Sequence, residues 1–435
     1  MKTLTTGAAL LALTSTTALA AGLDRSGQSV APLFAAGGTT SLSYGIVMPQ
    51  ISGEDTIGTG SYDNVGETYG QATIAHTFSV NDRTSFALII DQPYGADIDY
   101  KSDPASTMLG GTSADFNSVA VTGSARYTFG ERFSVFGGIS AQRLDADVSL
   151  NGMAYAAGIV PGLFAQARPA VVEAVATGAG IPTAVLEGIV AGDPAAIAAV
   201  GGPANAAAIG AALTTALTGV ADQLSADFYA NGYQFSMEDT TEAHYHVGAA
   251  YEIPSIALRI AGTYHFETEH TATISESFAG VSAGSSEIEF VTPRSFNLEA
   301  QSGIAAGTLL TASWRWTEYS AVDIVPTVLG RDLVNLEDGN RYTLGVARQF
   351  SDRLAGSVSF SYEPEGDDMV SPLGPTNGLK GISIGGRWTD GPLNISGGLN
   401  YSVLGDATGD VGGVSVTEFT DNHVVGLGFK MEMTF

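Results

Sequence analysis

Apolar and polar positions alternate with a period of two along most of the chain. Successive side chains of an extended strand point to opposite faces, so this alternation predicts strands with one apolar and one polar face. Leu354, Gly356, Val358, Phe360 and Tyr362 share a face, with Ala355, Ser357, Ser359 and Ser361 on the other. At the C-terminus Val425, Leu427, Phe429, Met431, Met433 and Phe435 oppose Gly426, Gly428, Lys430, Glu432 and Thr434. Fourteen segments read this way. They lie near 41–52, 66–80, 83–100, 113–129, 132–150, 227–253 and 255–275, then near 284–299, 305–319, 338–350, 353–364, 378–389, 392–404 and 419–435.

The connections alternate as well. Asn81-Asp82, Gly130-Glu131, Ile253-Pro254, Ser351-Asp352 and Asp390-Gly391 are tight turns, and the one near Ala300 to Ala305 is somewhat longer. The odd-numbered connections mostly run longer, and the fifth spans 151–226. Short turns at one end and long loops at the other describe a transmembrane β-barrel, with the turns periplasmic and the loops outside. Phe129, Phe350, Trp388 and Phe435 all fall on the apolar face at short-turn ends, where an aromatic girdle belongs. The expectation is an all-β, 14-stranded antiparallel barrel over 41–435. A large secreted all-β protein also alternates, but it places charge on its outer face. Here an apolar face is paired with a small, weakly polar one.

Composition accounts for the surface such a barrel needs. Only 14% of the 435 residues are charged and the mean hydropathy is +0.16, so part of the surface is not built to face water. The formal charge is −27, which repels nucleic acid. The absence of Cys removes disulfides, thiolate metal sites and thiol nucleophiles. No metal or other cofactor is expected. Residues 1–20 read as a secretory signal peptide: Lys2, an apolar run from Gly7 to Leu13, and a small-residue cleavage site at Ala18-Leu19-Ala20. The mature chain then begins at Ala21, with a short N-terminal segment, 21–40, ahead of the first strand.

Two sets of residues are candidates for ligand contact. The 151–226 insert is Ala-rich, and between Ala154 and Val220 its only charges are Arg168, Glu173, Glu187 and Asp193. Asp193-Pro194 reads as an N-cap followed by the first helical residue, and Pro182 and Pro203 open further helices. An outward loop this apolar forms either a hydrophobic groove or a self-packed lid. The candidate groove residues are Leu163, Phe164, Val171, Val172, Leu186, Ile189, Ile209, Leu213 and Leu217. The second set is Arg126, Arg259, Arg387 and Lys430, which point into the lumen near the periplasmic ends of their strands. They either hold a carboxylate head group, or neutralise lumen acids such as Glu252, Glu267, Glu299 and Glu432, or pin the N-terminal segment through Asp24. Arg315 also points inward. His244 and His246 share a strand face without an evident third metal ligand. Gly280-Val281-Ser282-Ala283-Gly284 matches a hydrolase pattern, but no helix follows the serine as a nucleophile elbow requires.

The stretch Thr292-Pro293-Arg294-Ser295-Phe296-Asn297-Leu298, leading through Gly303 to Ala312-Ser313-Trp314-Arg315-Trp316-Thr317-Glu318-Tyr319-Ser320, resembles the FadL-type long-chain fatty acid transport proteins. So do Asp338-Gly339-Asn340-Arg341-Tyr342-Thr343-Leu344-Gly345-Val346, the hairpin through Ser351-Asp352 into Tyr362-Glu363-Pro364, and the opening Ala21-Gly22-Leu23. The Asn-Pro-Ala motif common in that family's hatch is absent. The resemblance implies a monomeric outer-membrane barrel of a Gram-negative bacterium, and the chain ends on aromatic Phe435, as clients of the barrel assembly machinery usually do. Its N-terminal segment folds back as a hatch, and a hydrophobic small molecule, a fatty acid or a hydrocarbon, diffuses through without an energy source. A general diffusion porin for small polar solutes is the alternative, and an outer-membrane lipid hydrolase is a third possibility.

Overall fold

The computed structural model describes residues 23–435 except Asp368, so the expected signal peptide and the first two hatch residues lie outside the described residues. β1 (Thr39–Gln50), β2 (Tyr69–Asn81), β3 (Thr84–Asp91, resumed as Gly95–Asp99), β4 (Ser113–Phe129) and β5 (Phe133–Leu150) lead to the helical insert. After it come β6 (Tyr233–Ile253), β7 (Leu258–His265, resumed as Thr268–Phe278), β8 (Val281–Thr292, resumed as Ser295–Ala305) and β9 (Thr308–Thr317). β10 (Gly339–Gln349), β11 (Leu354–Glu363), β12 (Leu379–Asp390), β13 (Leu393–Leu404) and β14 (His423–Thr434) complete the wall. Each strand pairs antiparallel with its neighbours in sequence. β14 pairs with β1 from Thr39↔Thr434 to Gln50↔His423, and this seam closes a 14-stranded barrel.

Alternation decides which face meets which medium. Leu42, Tyr44, Ile46, Ile382, Ile384, Leu427 and Phe429 stand exposed on the outside, while Ser, Gly, Thr and Asn face the lumen between them. Such a band is costly in water and suits hydrocarbon. Phe129, Phe350, Trp388 and Phe435 are exposed at the short-turn end, as a girdle requires.

Besides the interruptions of β7 and β8, three local features depart from the expected pattern. The segment over 83–100 is not continuous. Gln92, Pro93 and Tyr94 leave the ladder between the pairs Asp91↔Ala120 and Gly95↔Asn117, three residues facing two. This bulge reverses the parity, so Leu88 faces out before it while Ala96 and Ile98 face in after it. The turn near Ala300 to Ala305 is in fact tight: strand continues to Ala305, and Ala306-Gly307 makes the turn with Gly307 at φ 68°. The insert runs beyond 226. It forms α1 (Met153–Gly178), α2 (Thr183–Ala191), α3 (Pro194–Ala199) and α4 (Pro203–Asn231). Leu224 and Phe228 keep the helical four-residue spacing going, so β6 begins only at Tyr233. Asp193 caps α3 by accepting from the Ala195 N–H at 2.9 Å.

At the long-loop end a small sheet caps the mouth. Gly53–Asp55, Ser61–Tyr62, Met369–Val370, Ala407–Asp410 and Ser415–Phe419 contribute to it, from the loops after β1, β11 and β13. The hatch, from Leu23 to Gly38, enters the lumen and makes one 3-10 turn, Ala31–Phe34. Its Val30 and Leu33 are buried against Ala75, Ala87, Ile89, Phe136, Ala250 and Ala261 of the barrel wall.

Candidate functional site

The inner faces of β3 to β6 change character towards the mouth. Ala96, Ile98, Ala114, Phe116, Ala146, Val148 and Phe235 replace the polar lumen lining with apolar surface. Ile324, Leu333 and Leu336 from the β9–β10 loop and Met369, Val370 and Leu373 from the β11–β12 loop face them. Together with Leu23 of the hatch they line a cavity open at the mouth. A concave, mainly apolar cavity with few polar groups is the usual form of a small-molecule site. Its polar groups include Glu337, Asp338, Glu365 and Asp367, and no Lys, Arg or His lines it.

The cap over this cavity is tied down by two tyrosines. The Tyr62 hydroxyl donates to Asp55 Oδ1 at 2.6 Å and accepts from the Leu109 N–H at 2.9 Å. Burial first, then the bond to Asp55, pushes the Tyr62 phenol above its ordinary pKa. Tyr100 donates to the Pro372 carbonyl at 2.8 Å and meets the Tyr62 ring edge-on.

Below the cavity the hatch is clamped by Arg315. Its Nε donates to Asp24 Oδ2 at 2.7 Å, and one terminal nitrogen donates to Ser295 Oγ and Asn297 Oδ1 at 3.1 and 2.9 Å. The other donates to Asp24 Oδ1 and Gln28 Oε1 at 3.1 and 3.0 Å. All five guanidinium donors are used, which no lysine geometry reproduces. Ser26 donates to Asp91 at 2.6 Å and Ser29 to Glu299 at 2.9 Å.

The start of the hatch also fills a break in the wall. β2 pairs with β3 only up to Ile74↔Ile90, so on this side Tyr69 to Thr73 pair with β1 alone. Arg25 occupies the gap, ion-paired with Asp97 and with its guanidinium 3.9 Å from the Tyr69 ring centroid. Its N–H donates to the Pro93 carbonyl at 2.8 Å, and Gly95 N–H donates to the Leu23 carbonyl at 2.8 Å. A short piece of hatch therefore adds as a strand against the β3 bulge.

The sequence candidates fall in three places. Val172, Leu186 and Leu213 are buried together, with Ile209 and Leu217 against them, in the seam between the insert helices. Leu163 packs at the base of the insert. Phe164, Val171 and Ile189 are half-buried on the same helices. None of these nine lines the mouth cavity. Arg126 pairs with Glu252, and Arg126 and Arg259 each lie 4.5 Å from the Phe34 ring centroid of the hatch. Lys430 lies 3.2 Å from Glu432, which also attracts Arg387 two strands away on the same side of the wall. The four cations thus form two separate groups.

His244 and His246 meet a third imidazole from β7, with His244 Nε2 3.3 Å from His265 Nδ1. Among the described residues no group of three such side chains has a metal-holding arrangement. Ser282 sits in strand, accepting from the Gly284 N–H at 3.2 Å, and no helix follows it.

Sequence reasoning missed the cavity lining from the loops. Its signal was present in the apolar residues Leu333, Val334, Leu336, Met369, Val370 and Leu373 inside otherwise polar loops.

The fold has solved relatives. A FadL homologue of Pseudomonas aeruginosa superposes with TM-score 0.60 at 14% identity, covering 93% of this chain and 92% of that one. The toluene transporter TodX of Pseudomonas putida gives 0.57 at 12% identity, over 96% and 95% of the two chains. The toluene transporter TbuX of Ralstonia pickettii gives 0.54 at 13% identity, over 95% of each. No curated relative matches the chain by sequence. At such identities the structures establish the fold alone, but a family model, the outer membrane protein transport protein family OMPP1/FadL/TodX, matches residues 18–433. This chain, with its hatch clamped inside a 14-stranded barrel, belongs to that outer-membrane transport family.

Proposed function

We propose that the protein is a passive entry route for hydrophobic small molecules across the outer membrane. The ligand settles in the mouth cavity and leaves sideways, through the break between β2 and β3, when Leu23 to Arg25 withdraw from it. The observation that carries this reading is the coincidence of an apolar cavity with a hatch residue, Leu23, in its lining and a wall break filled by the residues that follow. The hatch turn packed against the wall below supports a sideways route over a straight one. A single chain closing its own barrel supports action as a monomer.

Long-chain fatty acids and aromatic hydrocarbons are the ligand classes to test first. The second of these is named for the toluene transporters of like fold. Cells carrying the protein should take up labelled toluene or oleate several-fold faster than cells lacking it. The purified barrel should conduct no steady ion current across a planar bilayer. Steady conductance with neither ligand taken up would make the protein a porin.

A further inference from the structure

The mouth cavity has a chemical polarity that its apolar lining does not by itself require. Glu337 and Asp338 reach it from the β9–β10 loop, and Glu365 and Asp367 from the β11–β12 loop. All four are exposed, so their charges act on whatever approaches the opening. No cation among the lining residues opposes them. Lys380, 3.6 Å from Glu365, offsets one of the four, while Arg341 pairs with Glu363, Arg25 with Asp97 and Arg315 with Asp24. The whole chain adds a background of −27. A cleft lined by one sign of charge concentrates ligands of the opposite sign and repels its own. The large apolar cavity, independently of the acids, calls for a hydrocarbon chain or ring.

We infer that, within the hydrophobic entry route proposed above, this protein prefers amphiphiles carrying a protonated amine over those carrying a carboxylate. The apolar part occupies the space between Ile98, Phe116 and Phe235, and the ammonium group sits at the rim beside Glu337 and Asp367. A fatty acid anion meets an excess of acid there.

Equilibrium dialysis of the detergent-solubilised full chain against labelled octylamine, octanol and octanoate at neutral pH, with a detergent blank, tests this. The three probes share a chain and differ in head group. Octylamine should bind about tenfold tighter than octanoate at low salt, and the ratio should shrink towards one as salt is raised to ~500 mM, where screening reaches only about 4 Å. Glu337→Gln with Asp367→Asn should lower the same ratio about as far as salt does. The salt series on the unaltered chain keeps the test independent of how that variant folds. Octanoate binding as tightly as octylamine while octanol binds would overturn the charge selection and leave hydrophobic entry standing. Binding of none of the three would overturn both.

Discussion

Arg315 is the residue on which the hatch depends. It joins β9 to Asp24 and Gln28 across almost 300 positions of sequence, and it is 8% exposed. Removing one partner of a buried pair strands the other charge and costs about 3–5 kcal/mol. Arg315→Met should therefore release the hatch while the barrel, closed by its own ladder, stays folded. The chain has no Cys, so Leu33→Cys, at a position that is 0% exposed, gives a clean reporter. Its maleimide labelling should rise about tenfold or more in the Arg315→Met background, with unchanged heat-modifiability on gels. Asp24→Asn added to Arg315→Met should give back part of the loss, because no unpaired charge then remains.

This clamp was half legible in the sequence. The family-like stretches place Ser295, Asn297 and Arg315 on facing positions of paired strands, since Asn297 and Arg315 are register partners. Alternation tells which side of the wall each residue occupies. It carries nothing about which of several inward acids an inward arginine will meet, and Asp24 lies in a segment with no period at all.

At the scale of elements, the bulge in β3 does two things at once. It turns Ala96 and Ile98 inward to line the cavity, and it ends the β2–β3 ladder so that a gap remains for Arg25. Deleting Gln92 should restore parity and ladder together. The straightened barrel should fold, and toluene uptake should fall to the level of cells lacking the protein. The break was legible only as Pro93, a residue that cannot donate to a ladder. The alternating pattern on each side hid the change of parity.

The insert makes an opposite prediction. α1 and α4, with 26 and 29 residues, are about 39 and 44 Å long at 1.5 Å per residue. Val172 and Leu213 pack between the helices, Tyr155, Leu163 and Phe228 pack at their base, and none of these lines the cavity. Replacing 168–216 by a short Gly-Ser turn should leave uptake near its original rate. A loss of uptake would place ligand capture on the hairpin. Helix starts at Pro194 and Pro203 were legible from the capping pattern. The partner of each apolar face was not, because two facing helices and a ligand groove ask for the same residues.

At the scale of the molecule, strand number and connection lengths were legible because a barrel wall is a local pattern repeated. The mouth cavity was not, because it is assembled from strands, loops and the hatch, which only closure brings together. Closure itself has a consequence for how the chain reaches its native state. Thr39 and Thr434, 395 positions apart, meet across the seam, and contacts of such separation form late. Until then the wall is a sheet with two unpaired edges. The hatch leads directly into the first edge, and Phe435 N–H, at the end of the second, donates to the Gly38 carbonyl at 3.0 Å. The last strand to arrive thus locks the wall and the entrance of the hatch in one event. Seam and hatch share one anchoring point at Gly38, so loosening the β1–β14 pairing at that end also loosens the base of the stopper.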